Sequence, residues 1–135
     1  WRGSRRFWEE VLIIIFEAYV TNLGKYNEGE LLSEPLKFPA AIEEVLRRAN
    51  LTIDDVQFIV PHQANLRIIK YAAKRMGLPL ERFQVSIAHR GNSSSACIPM
   101  TLCDAYESGN IHPGDKVVLV GFGGGFTSGA VLYEA

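Results

Sequence analysis

Twice between Gln57 and Val120 a short apolar run turns into an amphipathic stretch that ends at glycine, and another apolar run follows. Phe58-Ile59-Val60 reads as a buried strand, and Pro61, which has no backbone N–H to donate, suits its end. From Asn65 to about Met76 a helix is expected. Leu66, Ile69, Tyr71, Ala72, Ala73 and Met76 are its apolar positions, Arg67, Lys70, Lys74 and Arg75 form a basic face, and Gly77 and Pro79 stop it. Phe83–Ile87 alternates as a second strand. His89–Ala96 is a loop of small residues, and a helix then runs to about Glu107 with Ile98, Leu102, Ala105 and Tyr106 as its apolar side. Lys116–Val120 is a further buried, β-branched strand. Strands separated by helices pair in parallel through right-handed crossovers, and ligands then bind in the crevice beyond the carboxyl ends of the strands.

The flanks complete the pattern. Ala40, Ile42, Val45 and Leu46 oppose Glu43, Glu44, Arg47 and Arg48 on a helix expected from about Pro39 to Asn50. Thr52 with Asp55 resembles a short capped turn before the strand Gln57–Val60. After Val120 come Gly121-Phe122-Gly123-Gly124-Gly125-Phe126, then a last strand over about Thr127–Tyr133 that pairs antiparallel through the glycines. Such glycines let backbone approach a ligand or another chain closely. A dinucleotide fingerprint is a poor fit, because a strand and not a helix follows them. At the other end, Ser4 is a candidate cap for a helix from about Arg5 to Leu23 ended by Gly24, with Phe7, Val11, Ile14 and Ala18 on one face. Residues 24–36 read as a polar connection.

Composition narrows the function classes. A chain of 135 residues, 47% hydrophobic, makes one domain with a real core. A net charge of −1 gives no reason to expect nucleic acid. His62, His89 and His112 lack metal-ligand spacing. Cys97 and Cys103 point to different sides of one helix, so no disulfide is expected between them and the cytoplasm is the default compartment. Both read as small buried hydrophobes. Val11–Phe16 is far shorter than the roughly 20 apolar residues of a membrane span, so neither a membrane nor a targeting segment is expected.

Three junctions carry chemistry. His62 stands where the first strand ends, Asn92 one βαβ repeat later, and Gly123–Gly125 after the third strand. A histidine at a strand end either caps and packs or does chemistry, and position alone favours the former. On parallel strands, however, His62 and Asn92 share one sheet edge. A neutral imidazole and a carboxamide there could both donate to one carbonyl oxygen, which is an oxyanion-stabilising pair. That geometry suits carbonyl chemistry better than phosphoryl transfer or metal hydrolysis. The basic face after His62 is either a solvated helix surface or a dock for an acidic partner, and charge alone favours the first.

The segments Val60-Pro61-His62-Gln63-Ala64-Asn65-Leu66-Arg67-Ile68-Ile69, Gly91-Asn92-Ser93-Ser94-Ser95-Ala96-Cys97-Ile98-Pro99 and Gly121-Phe122-Gly123-Gly124-Gly125-Phe126-Thr127 closely resemble the β-ketoacyl-acyl-carrier-protein synthase III family. The resemblance runs from about Leu36 to the end of the chain. It implies an acyltransferase of fatty acid synthesis with the thiolase fold, here a thiolase-like half: a βαβαββ mixed sheet with helices. Residues 36–135 would be the C-terminal domain, preceded by a poorly matched N-terminal helical segment, residues 1–35. The family condenses an acyl-CoA starter, usually acetyl-CoA, with malonyl-acyl-carrier protein and releases carbon dioxide. His62 and Asn92 match its histidine and asparagine, Gly124 its oxyanion-binding backbone N–H, and Gln63, Ala64, Asn65, Leu66 and Arg67 its carrier-protein-binding segment. Arg67 would attract the acidic carrier, which reverses the bland reading of the basic face.

The implied partners are acyl carrier protein, acyl-CoA and an N-terminal half of the same fold, in cis or in trans, within a cytoplasmic homodimer. No metal or cofactor is implied beyond the CoA thioester and phosphopantetheine-linked substrates. Neither cysteine matches the family's nucleophile, so the expectation is a catalytic half that is inactive alone. The alternative is a non-catalytic domain that binds acyl carrier protein or acyl-CoA.

Overall fold

The computed structural model describes residues 14–22, 34–123 and 127–135, with side chains from Phe38 onward. Strand β1 (Ile14–Asn22) is followed by helix α1 (Glu34–Ala49), strand β2 (Phe58–Pro61) and helix α2 (Leu66–Met76). Then come the short helix α3 (Ile87–Arg90), helix α4 (Cys97–Glu107) and strands β3 (Lys116–Gly123) and β4 (Thr127–Glu134). The four strands form one mixed sheet in the order β1-β4-β3-β2. β2 and β3 are parallel, with Phe58 opposite Val117 and Pro61 opposite Val120. β3 and β4 are antiparallel through the glycine segment, as expected, from Lys116 opposite Glu134 to Gly123 opposite Thr127.

Local chemistry sets the boundaries. Thr52 and Asp55 form the expected capping box, in which the Asp55 carboxylate accepts from Thr52 N–H and Oγ1–H at 2.8 Å each. Asn65 caps α2, its Oδ1 accepting the Arg67 N–H at 2.8 Å. Gly77 ends that helix at φ 68°, a left-handed conformation that glycine adopts without strain. Helix α1 begins at Glu34, ahead of the expected Pro39, and carries Pro39 inside it. Its buried stripe is Phe38, Ala41, Ile42, Val45 and Leu46, and Ala40 faces solvent instead. Tyr71 is also a correction: at 46% exposure it lies outside the apolar face of α2.

Alternation along the strands builds two cores. Ile59, Val118, Val120, Ala130 and Leu132 bury against Phe38, Ile42 and Val45 of α1 and Ile69, Ala72 and Ala73 of α2. Val60, Val117 and Tyr133 point the other way, against Leu102 and Ala105 of α4. This is the period of two expected of a sheet covered on both faces.

Two expected elements differ. Residues 14–22 are strand, not the second half of a helix, and the sequence there (Ile14, Ile15, Phe16, Tyr19, Val20, Thr21) is rich in β-branched and aromatic residues. β1 pairs antiparallel with β4, Ala18 opposite Val131 and Asn22 opposite Thr127. It therefore belongs to the same sheet as residues placed beyond the expected boundary at 35/36. The remainder of the expected 5–23 helix, and residues 24–33, lie outside the described residues. The second expected strand, Phe83–Ile87, shrinks to a single parallel bridge between Phe83 and Ile59. Its backbone finds another partner, the Gln63 side chain. Among the described residues no helix is long and apolar enough to cross a membrane.

Candidate active site

His62 leaves the carboxyl end of β2, where its N–H donates to Val120 O at 2.8 Å and so extends the β2–β3 register. The imidazole stands edge-on to the Phe122 ring, centroids 5.6 Å apart and planes at 89°. Its Nδ1 lies 2.8 Å from Cys97 Sγ. Burial lowers its pKa below the ordinary 6.5, which favours the neutral ring. The ring borders an open groove of about 650 Å³ that is walled mainly by Ile98, Leu119, Gly121, Phe122, Gly129 and Val131. Gly121 keeps that wall low: a Cβ there would stand 3.4 Å from Ile98 Cδ1 and 3.7 Å from His62 Cβ.

Gln63 is fully buried, and this corrects its assignment to a carrier-protein surface. Its Nε2 donates to Pro61 O at 2.9 Å and to Gln84 O at 3.1 Å. Its Oε1 accepts the N–H of Ser86 at 3.0 Å and of Ile87 at 3.2 Å. One side chain thus satisfies backbone groups of residues 84–87 that a strand neighbour would otherwise have taken. It ties the exit of β2, where His62 stands, to the segment that leads to Asn92. Of the other candidate carrier-binding residues, Ala64 and Leu66 are half-buried, Asn65 is exposed but spends its side chain on the α2 cap, and Arg67 is exposed.

Asn92 follows α3 and Gly91, whose φ of 65° favours glycine. It is exposed, and its Oδ1 accepts the Ser94 N–H at 3.0 Å, which leaves the amide NH2 as the end outside that turn. The loop is pinned from behind. Arg90 Nε donates to Asp104 of α4 at 2.7 Å and His89 Nε2 lies 3.2 Å from the same carboxylate, which Arg90 holds below its usual pKa. Ser94 and Ser95 join His62 along the groove, but Asn92 is not among the groove's lining residues. The loop thus reaches the groove through its serines, with Asn92 on the exposed turn just before them. Gly124 lies outside the described residues.

The contact that sequence reasoning missed is Cys97. It is buried as expected, at 1% exposure, yet it is a partner of His62 and not mere filling: its Sγ also accepts the Gln63 N–H at 3.2 Å. The signal was available in part, since Cys97 falls one helical turn beyond the Ser93–Ser95 run. Cys103 is the other free cysteine, and burial pushes its thiol pKa up. No cluster of three or more His, Cys, Asp or Glu that could hold a metal ion occurs among the described residues.

Comparison with known proteins agrees with this architecture. The family described as 3-oxoacyl-[acyl-carrier-protein (ACP)] synthase III C terminal matches residues 46–135. A beta-ketoacyl-[acyl-carrier-protein] synthase III of Acholeplasma laidlawii is 52% identical over 137 residues, covering 98% of this chain and 40% of that protein. That match takes in most of residues 1–35 as well. One of Clostridium perfringens is 49% identical over 94 residues, covering 70% of this chain and 29% of that protein. The crystal structure of 3-oxoacyl-[acyl-carrier-protein] synthase III from Aquifex aeolicus superimposes with a TM-score of 0.83 at 30% identity, covering 93% of this chain and 46% of that one. The chain thus spans less than half the length of these relatives, and its mixed sheet with helices is a thiolase-like half. With the matched segment running to Ala135 and the sheet superimposing on a solved member, the chain belongs to the 3-oxoacyl-[acyl-carrier-protein] synthase III family, as its C-terminal part.

Proposed function

We propose that this chain supplies the decarboxylating half of a synthase III active site. In the reaction, a malonyl thioester on acyl carrier protein loses carbon dioxide. The electron pair of the broken C–C bond becomes an enolate, whose carbon attacks an acyl thioester and expels a cysteine thiolate. His62 Nε2–H and the Asn92 NH2 donate to the enolate oxygen, and the N–H of Gly124 serves the oxyanion of the acyl thioester. The observation that carries this reading is His62 itself: a half-buried imidazole biased to its neutral form, at the carboxyl end of a central strand, open to an apolar groove. A neutral donor suits an enolate, because it stabilises charge without giving up its proton prematurely.

The acyl group is carried by a cysteine of the N-terminal half of the fold. Cys97 is sealed at 1% exposure, so a thioester carbonyl has no approach to its sulfur. The groove beside α4 accommodates the covering half and the acyl chain. On the outside, Arg67, Lys70, Lys74 and Arg75 of α2 offer exposed positive charge to an acidic carrier protein. Acetyl-CoA is the proposed starter and a cytoplasmic homodimer the proposed assembly.

The test gives the intact protein acetyl-CoA and malonyl-acyl-carrier protein and follows carbon dioxide and 3-ketoacyl product. His62→Ala and Asn92→Ala should each slow decarboxylation about a hundredfold or more while acylation by acetyl-CoA persists. Carrier-protein binding without any turnover, in an intact protein that acylates normally, would support a binding-only role instead.

A further inference from the structure

We propose that Cys97 is a positioning residue whose thiol holds His62 in its Nε2–H tautomer and so keeps the donor nitrogen aimed at the groove. The catalytic value of this rests on the reading of His62 as an oxyanion donor; the tautomer itself does not. Cys97 Sγ stands 2.8 Å from His62 Nδ1 and 3.2 Å from the Gln63 backbone nitrogen, and the sulfur is buried.

The assignment follows from donor and acceptor counting. The Gln63 N–H has only donor character, so at that contact the sulfur accepts. The S–H remains to be given. A neutral imidazole has one N–H and one bare nitrogen, and the bare nitrogen at Nδ1 takes the S–H. The opposite tautomer would point two N–H donors at one weakly accepting sulfur and leave the S–H without a partner. A thiolate–imidazolium pair would place two charges in a site whose burial already disfavours the protonated ring. With Gln63 N–H given to sulfur and S–H given to Nδ1, both donors at this contact meet an acceptor, and the remaining Nε2–H is left to the groove.

The surroundings keep this chain in register. The Gln63 side chain fixes its own backbone through Pro61 O and Gln84 O. Phe122 closes one side of the ring. Cys97 opens α4, so the position of the thiol is set by the helix and not by a loop.

The experiment records long-range proton–nitrogen correlations of the His62 ring at neutral pH in the 15N-labelled intact protein. Nitrogen shifts separate the two tautomers. The unmodified protein and Cys97→Ser, which keeps a donor, should carry the proton on Nε2 alone. Cys97→Ala should populate Nδ1–H and lower kcat for malonyl decarboxylation about tenfold, the worth of one hydrogen bond, with KM nearly unchanged. An Nδ1–H in the unmodified protein, or the same tautomer in Cys97→Ala as in the unmodified protein, would overturn the proposal. His62→Ala tests the catalytic reading separately, so the two ideas fail on different measurements.

Discussion

At His62 a single property, the depressed pKa, makes a prediction about stability and another about rate. Its folded value lies below the 6.5 of an unperturbed imidazole, so in that interval the native chain binds fewer protons than the unfolded one. Stability from this group is fully present above pH 6.5 and is lost as pH falls through the folded value. Denaturant titrations from pH 8 downward should show that loss, and His62→Gln should flatten it. A slope unchanged by the substitution would assign it to other groups. The decarboxylation rate should likewise hold below pH 6.5, because the neutral ring persists there. Gln63 is the second residue with a sharp expectation. Gln63→Leu leaves two carbonyls and two N–H groups without their partner, and should cost about 3 kcal/mol in urea unfolding. Sequence alone could not place it, since Gln63 sits in a polar run whose neighbours Asn65 and Arg67 face solvent. Only the fold turns its amide inward.

Helix α2 separates what was legible from what was not. Pro61, the Asn65 cap and Gly77 are local signals, and the helix has the limits they set. The Asn65 cap should be worth about 1 kcal/mol, lost in Asn65→Ala and kept in Asn65→Asp. Reversing charge on the same helix should act differently: Arg67→Glu should weaken carrier-protein binding and leave unfolding nearly unchanged, as surface charges do. A loss of acylation by acetyl-CoA equal to the loss of carrier binding would refute the docking role of Arg67. The misread elements are those whose partners are remote. Residues 14–22 fit helical spacing in isolation, and what makes them a strand is the free edge of β4, over a hundred residues later. Residues 83–87 alternate like a strand, yet after one bridge to β2 three of their backbone groups bond the Gln63 side chain. Likewise, the loop geometry that directs Asn92 depends on the Arg90–Asp104 pair, which joins two separate helices.

For the molecule as a whole, the sheet is covered unevenly. Among the described residues, α1 and α2 close one face, whereas on the other α4 packs on Val60, Val117 and Tyr133 and leaves Leu119 and Val131 lining a groove. Along β4, Ser128, Ala130 and Leu132 bury against the closed side, while Thr127, Gly129 and Val131 alternate with them and face the groove. That groove is apolar, and apolar surface of this kind favours a covering partner. If the N-terminal half of the fold is that cover, one substitution should have different effects in two settings. In the intact protein, Val131→Lys would bury a charge at the junction, so it should cost roughly 2 kcal/mol or more and reduce condensation. In the 135-residue chain on its own, the same lysine would stand at a half-buried position beside an open apolar groove, so it should cost less in unfolding and lower self-association in sedimentation and dye binding. Destabilisation of equal size in both settings would mean that Val131 is packed by this chain alone, and the groove would then not be the seat of another half.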